Sequence, residues 1–387
     1  MPFFNFTANI KPSSVLLFRD IIGHDETKRA LLRSVQTNHV AHAQLFDGPV
    51  GGAGVALAWA FATYVNCEDR QPEDSCGRCP SCVKMRKLVH PDVYHIFPLP
   101  RTPKDGEDLL AELTPKWRSF LEAQPYRTLS EWLAYINATG NQQGIIPIRE
   151  SRGIINKLSL KAFEGEYKIM LFWQPELLNI AAANALLKIL EEPPEKTLFL
   201  LVSSQSDKLL TTIISRTQRV AVRAFDDDEV TQFLTQKGVD ERRARQIAYL
   251  CEGNLSEAVR LTHETEDDRH AWFANWMRKC YSRDFAALVK LADEFDGLGK
   301  EKQKGIFDYT LNLFRDLFLW QNGVEDLLRL QDEELSFVQK FGKAVAPSAI
   351  ELLIQEITDG YYHLERNARA KVLFLDISLT AARSMRG

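Results

Sequence analysis

Residues 43–55 read Ala43-Gln44-Leu45-Phe46-Asp47-Gly48-Pro49-Val50-Gly51-Gly52-Ala53-Gly54-Val55, and an Ala-rich apolar run continues from there to Val65. Ala43 to Asp47 suits a short buried strand, residues 48–54 form a glycine-rich turn, and Val55 to Val65 reads as an apolar helix. Strand, glycine turn and helix in that order open an α/β nucleotide-binding unit. Short apolar runs place further strands at Val93–Phe97, Lys168–Phe172 and Thr197–Ser203, with helices such as Arg149–Leu158 and Ala181–Leu190 between them. The chain to about residue 223 is therefore expected to be an α/β domain with a mostly parallel sheet.

The turn keeps a shape and lacks its usual chemistry. A working P-loop, G-x-x-x-x-G-K-[ST], cradles phosphate with backbone N–H groups, pairs it with the Lys and holds Mg²⁺ through the hydroxyl. In that frame Gly48, Gly51 and Gly52 keep the turn flexible, but Ala53 stands for the second Gly, Gly54 for the Lys and Val55 for the hydroxyl residue. The strand at 169–172 should end in Asp-Glu to hold Mg²⁺ and orient water, and it runs instead into Trp173-Gln174-Pro175-Glu176. Phosphoryl transfer depends on charge neutralisation. With both parts missing, ATP is not expected to be hydrolysed.

The chain has 387 residues, which suggests two or three domains. It carries 48 Lys and Arg against 52 Asp and Glu, a net charge of −4, which argues against a lone nucleic-acid binder with a broad basic face. No run approaches the roughly 18 apolar residues of a membrane span, and Met1-Pro2-Phe3-Phe4-Asn5 has no signal-peptide pattern. A cytoplasmic chain with reduced thiols is expected.

Of six cysteines, four form Cys67-x8-Cys76-x2-Cys79-x2-Cys82, while Cys251 and Cys280 stand alone and read as small core residues. In a reducing compartment a tight cluster of this kind points to metal. Zn²⁺ takes four thiolates tetrahedrally, and short Cys-x2-Cys loops suit that geometry, leaving no open catalytic position. An iron–sulfur cluster also uses Cys-x2-Cys-x2-Cys, with its usual fourth partner downstream rather than upstream, and free thiols are the remaining alternative. His42 and His90 read as loop or packing residues.

Residues 101–143, with Pro103, Pro115, Pro125 and the amphipathic pieces around Trp117, Phe120 and Trp132, break the α/β rhythm and read as an insertion packed on or beside the α/β core. Asp207 to Arg216 reads as a helix with Leu209, Leu210, Ile213 and Ile214 inward and Arg216 at its C-terminal end, where a cation complements the helix dipole. From 224 onward the texture is helical. Val230, Phe233 and Leu234 start one helix, and Ile247, Leu250, Leu255 and Val259 lie in short ones after it. A longer region from about His270 carries the stripes Phe307-Leu311-Phe314-Phe318 and Val372-Leu375-Leu379, with Lys300 to Lys304 as a solvated loop or helix end. Lys188, Glu191 and Glu192 read as a solvated helix end.

Taken in order, Phe18-Arg19-Asp20-Ile21-Ile22-Gly23, His42-Ala43-Gln44-Leu45-Phe46-Asp47-Gly48-Pro49, the four cysteines, His90-Pro91-Asp92, residues 179–194 ending Leu186-Leu187-Lys188-Ile189-Leu190-Glu191-Glu192-Pro193-Pro194, and Ile214-Ser215-Arg216-Thr217 resemble the clamp-loader subunits of the AAA+ class. The likeness is strongest to the delta prime type of bacterial DNA polymerase III and is dense over residues 18–219; the C-terminal third matches only in being helical. The resemblance implies an AAA+ α/β domain over 1–223, with a zinc module at about 65–90 and the insertion at about 101–143. A helical lid over 224–266 and a helical collar over 267–387 would follow. It implies structural zinc on Cys67, Cys76, Cys79 and Cys82. It also implies a non-catalytic subunit that completes the loader ring and offers Arg216, next to Ser215, as an arginine finger acting in trans. The implied partners are the gamma/tau ATPase subunits, the delta subunit, the sliding clamp and, through the complex, primer–template DNA, with no membrane. Thr217 departs from the family's Ser-Arg-Cys, and Ser256 in Gly253-Asn254-Leu255-Ser256 stands where the ATPases place a sensor arginine. The rival readings are an ATP-hydrolysing gamma/tau-like subunit with a divergent P-loop, and a zinc-dependent nucleic-acid-binding module.

Overall fold

A computed structural model describes residues 17–100, 109–138, 144–147, 162–262, 266–324, 328, 330, 332–366 and 368–385. The chain divides into Met1–Leu261 and Thr262–Gly387.

The first unit begins with a 3₁₀ turn at Phe18–Asp20, α1 (Asp25–Gln36), β1 (Ala43–Asp47), α2 (Gly54–Val65) and α3 (Pro80–Arg86). Next come β2 (Val93–Ile96), β3 (Leu99–Pro100), α4 (Leu109–Ala123), α5 (Leu129–Tyr135) and β4 (Gly144–Ile145). The α/β part closes with β5 (Lys168–Trp173), α6 (Ile180–Glu191), β6 (Thr197–Ser203), α7 (Thr211–Ile214) and β7 (Gln218–Ala221), followed by helices α8 (Asp227–Gln236), α9 (Glu241–Leu250) and α10 (Leu255–Thr262). The main sheet has strand order β2-β5-β6-β1-β7 with every pairing parallel, and β3 and β4 form a separate antiparallel pair.

Alternation along the strands sorts the core into two layers. Phe46, Ile169, Leu171, Trp173, Leu198, Leu200 and Val202 face α2, whose every residue from Val55 to Val65 is buried, as suits a helix that is apolar all round. Leu45, Met170, Phe172, Phe199 and Leu201 face the other way, onto Ala183, Leu186 and Leu190 of α6. Residues 109–138 pack on the core: Trp117 stacks on Phe97 at 4.6 Å and meets Trp132 and Trp173 at 5.2 and 4.9 Å, and the Trp132 indole donates to the Pro98 carbonyl at 2.8 Å.

Several sequence expectations change. Asp207–Arg216 is not one helix: a 3₁₀ turn at Ser206–Lys208 and the four-residue α7 flank an extended Leu209–Leu210 break. That break turns Leu209 inward and leaves Leu210 40% exposed. β7 is a strand that apolar runs do not predict, because its Gln-Arg-Val-Ala sequence is a largely exposed edge. The proposed Arg149–Leu158 helix lies outside the described residues.

The second unit comprises α11 (Glu266–Ser282), α12 (Phe285–Gly297), α13 (Lys300–Gln321), α14 (Asp332–Ala344), α15 (Pro347–Glu365) and α16 (Ala370–Ser384). Phe307 and Phe314 are fully buried, and Lys300–Lys304 is the first turn of α13. The Val372-Leu375-Leu379 stripe is not the buried face of α16, since Val372 is 62% exposed. Phe374, Ile377, Ser378 and Ala381 point inward instead. The partners decide this: Phe374 lies 4.6 Å from both Trp276 and Phe295, and the Trp276 indole donates to Ser378 Oγ at 2.8 Å. Among the described residues no helix is long and apolar enough to cross a membrane.

Candidate functional site: a closed glycine turn, a cysteine cluster and an arginine

The carboxyl ends of β1, β5, β6 and β7 bring the glycine turn and its surroundings together, the usual place for a ligand in an open parallel sheet. Gly51, Gly52 and Ala53 are buried, and α2 starts at Gly54 with no side-chain cap. The turn does not face open space. The Leu255 N–H donates to the Gly51 carbonyl at 3.1 Å. Gly51 sits at φ +71°, and a Cβ there would lie 1.8 Å from Asn254 Oδ1. Gly253, at φ +79°, lets the start of α10 approach so closely that a Cβ would meet the Phe225 carbonyl oxygen at 2.3 Å. Asn254 and Leu255 therefore lie directly on the turn.

The β5 end is equally altered. Trp173, at the position expected for the first Mg²⁺-site carboxylate, is 3% exposed and packed on Trp117 of the insertion. Gln174 takes a left-handed conformation at φ +56°. Glu176 accepts from Ser203 Oγ at 2.9 Å and from the Ser204 and Gln205 N–H groups at 3.2 Å each. Asp47, at the end of β1, pairs with Arg219 at 2.5 Å and accepts from Ser206 Oγ at 2.8 Å. These carboxylates are engaged by protein donors. Ser256 donates to Glu131 Oε2 at 2.5 Å.

The four cysteines converge as expected: all four sulfurs lie within 4.8 Å of one another. Four thiolates about 2.3 Å from a tetrahedral Zn²⁺ sit roughly 3.8 Å apart, so the set fits that ion, and the Cys76 and Cys82 sulfurs are 3.9 Å apart. Backbone donors converge on the sulfurs: Cys76 N–H on Cys67 at 3.3 Å, Cys79 N–H on Cys76 at 3.3 Å and Cys82 N–H on Cys79 at 3.4 Å. Gly77, at φ +72°, supplies the left-handed residue of the knuckle. Burial pushes the Cys67 and Cys82 thiols up. Burial also disfavours the Cys76 thiolate, yet the Arg78 and Cys79 N–H groups outweigh it and bring that thiol down to about 7. Holding all four as thiolates calls for a cation. Cys251 and Cys280 are buried core residues.

His42 and His90 stand apart from the cluster, as packing residues do. His42 Nε2 pairs with the Leu190 carbonyl at 3.1 Å, and buried His90 accepts the Asp92 N–H on Nδ1 at 3.2 Å. Two acidic residues that were not singled out organise the surroundings. Asp74 accepts from the Phe18, Arg19 and Ser75 N–H groups at 3.1, 3.0 and 2.7 Å, tying the cysteine module to the segment that leads into α1. Asp92 accepts from the Phe163, Glu164 and Gly165 N–H groups at 2.6, 2.9 and 2.7 Å. Burial works against its charge, but those three donors hold its carboxyl below the usual range. The His90-Pro91-Asp92 string carried a signal for the second; nothing marked the first.

Arg216 lies just past α7 with its side chain 34% exposed. Its guanidinium donates to the Thr212 carbonyl at 3.0 Å and to Glu191 Oε1 at 2.6 Å. Ser215 caps α7, its hydroxyl donating to the Thr212 carbonyl at 3.1 Å. Thus the 179–194 and 214–217 strings, far apart in sequence, meet through Glu191, which reads from sequence as a plain solvated end.

A family model described as DNA polymerase III, delta subunit matches residues 23–226, more than half of the chain. DNA polymerase III subunit delta' of Yersinia pestis is 28% identical over 340 residues, covering 85% of this chain and 85% of that protein. The subunit delta' of Bacillus subtilis is 26% identical over 307 residues, covering 79% and 80%. Subunit tau of Bacillus subtilis is 21% identical over 382 residues, covering 92% of this chain, which spans 60% of that longer protein.

Proposed function

The chain belongs to the DNA polymerase III, delta subunit family, and on that premise we propose that it is a non-catalytic, delta prime-type subunit of a clamp loader. It completes a ring with gamma/tau ATPase subunits and a delta subunit and presents Arg216 to ATP bound by a neighbour. That assembly loads a sliding clamp onto primer–template DNA in the cytoplasm. Residues 224–266 serve as a lid and 267–387 as a collar on this reading, and Cys67, Cys76, Cys79 and Cys82 hold a structural Zn²⁺ that fixes the module after α2.

One observation carries the reading. The glycine turn lacks Lys and hydroxyl and lies under Asn254 and Leu255, with Trp173 in the core, while Arg216 stays partly exposed at the end of α7. Its own site is unsuited to phosphoryl transfer; a partly exposed guanidinium suits charge stabilisation in another site, where such a group is worth about 10³–10⁵ in rate. Relatives named tau keep the ATPase reading in play; ATP binding by the isolated chain separates the two, and the arginine is tested in the assembly. In a loader reconstituted with this chain, Arg216→Ala is expected to lower DNA-stimulated ATP hydrolysis by a hundredfold or more, roughly. Hydrolysis at the wild-type rate would sink the proposal.

A further inference from the structure

Arg216 does not hang free, and what holds it is placed with some care. Glu191 is the last residue of α6, and its neighbour Leu190 is 1% exposed, with its carbonyl taken by His42 at the entry to β1. Thr212 belongs to α7, which Ile213, 1% exposed, anchors in the core. Two pinned helix ends therefore grip one guanidinium, Glu191 at 2.6 Å on Nη2 and the Thr212 carbonyl at 3.0 Å on Nη1. An ion pair this exposed, with side chains 34% and 51% accessible, adds little to stability. Its effect is on order: a long Arg side chain otherwise samples many rotamers, and fixing them beforehand removes that loss from the reacting state.

Resting on the proposed function, we infer that Glu191 is the positioning residue for Arg216. It holds the guanidinium at a set place and angle until a neighbour's nucleotide phosphate takes over one of its N–H edges. The Thr212 carbonyl stays as the second fixed point during that exchange. A planar guanidinium with five N–H donors can keep one partner while changing the other.

The test is a double-mutant cycle in the reconstituted loader, reading kcat and KM of DNA-stimulated ATP hydrolysis for wild type, Glu191→Ala, Arg216→Ala and the double variant. Glu191→Ala is expected to lower kcat roughly tenfold with KM for ATP held, since the nucleotide is bound by the neighbour. In the Arg216→Ala background the same change is expected to have no effect. Glu191→Gln, which keeps an acceptor without the charge, should fall between. Equal melting temperatures and equal incorporation into the loader confirm that folding and assembly are untouched. A Glu191→Ala loader at or above the wild-type rate, or an equal loss in both backgrounds, overturns the inference alone. An Arg216→Ala loader at the wild-type rate overturns the underlying reading, and this inference with it.

Discussion

The glycine turn and the cysteine module lie at opposite ends of one helix, α2, and they have fared differently. At the N-terminal end the turn keeps its backbone and lacks the Lys, the hydroxyl and the carboxylates that would act on a nucleotide. At the C-terminal end all four thiols are present, within 4.8 Å of one another and supplied with N–H donors. The difference separates two uses of a motif. A phosphate-binding turn also connects β1 to α2, so its shape persists for the fold when its chemistry is gone. A four-cysteine cluster has no such second use, because three cysteines without the fourth leave an open, weaker site. Where the chemistry is the structure, the set stays whole.

The largest effect expected on this view falls on the cysteine side. Structural zinc contributes on the order of 10 kcal/mol of binding free energy in small modules. Cys82→Ser should therefore abolish one equivalent of bound zinc and loosen the Phe18–Asp20 turn that Asp74 anchors. Elemental analysis together with hydrogen exchange over residues 17–24 reads both. Iron in place of zinc, or wild-type exchange in the metal-free variant, breaks the comparison.

A pH effect comes next, at the packing of α1 against the segment before α8. His24 is 3% exposed, lies 4.8 Å from the Phe225 ring, and is brought down to about 4 by burial and by the nearby Arg223. Because the folded value lies below the unfolded one of about 6.5, the unfolded chain takes up a proton that the folded chain refuses. Stability from this group is complete above 6.5 and is lost as pH falls toward 4, by roughly 1.4 kcal/mol per pH unit in that window. Urea midpoints between pH 7 and 4.5 should show the slope, and His24→Asn should flatten it. An unchanged slope in the variant removes His24 from the account.

Smaller still is the cost of disturbing the closure over the turn. Gly253→Ala forces a left-handed alanine whose Cβ meets the Phe225 carbonyl oxygen at 2.3 Å. It should destabilise the first unit by about 1–3 kcal/mol, read as a lowered denaturation midpoint with the second unit's transition unmoved. A neutral result would mean that the approach of residue 253 to the Phe225 carbonyl does not constrain the start of α10.

Much of this arrangement was legible in the chain. Ala43–Asp47 and Thr197–Ser203 are strands at their expected bounds, because buried parallel strands announce themselves as apolar runs. Cys67, Cys76, Cys79 and Cys82 came together because their short spacing leaves little conformational choice. Polar edges and long-range pairings were not legible. β7 has no apolar run, and Glu191 gains its meaning from Arg216, 25 residues later. Val372 misled because α16 chooses its inner face by the aromatics it meets, Trp276 and Phe295, which periodicity alone does not identify.

The central claim is that this chain keeps a nucleotide-binding shape without its chemistry, and calorimetric titration of Mg·ATP into the isolated chain tests it most directly. The account predicts no binding heat at nucleotide concentrations up to about 1 mM, a weaker limit than about −4 kcal/mol. Saturable binding in the micromolar range would contradict it.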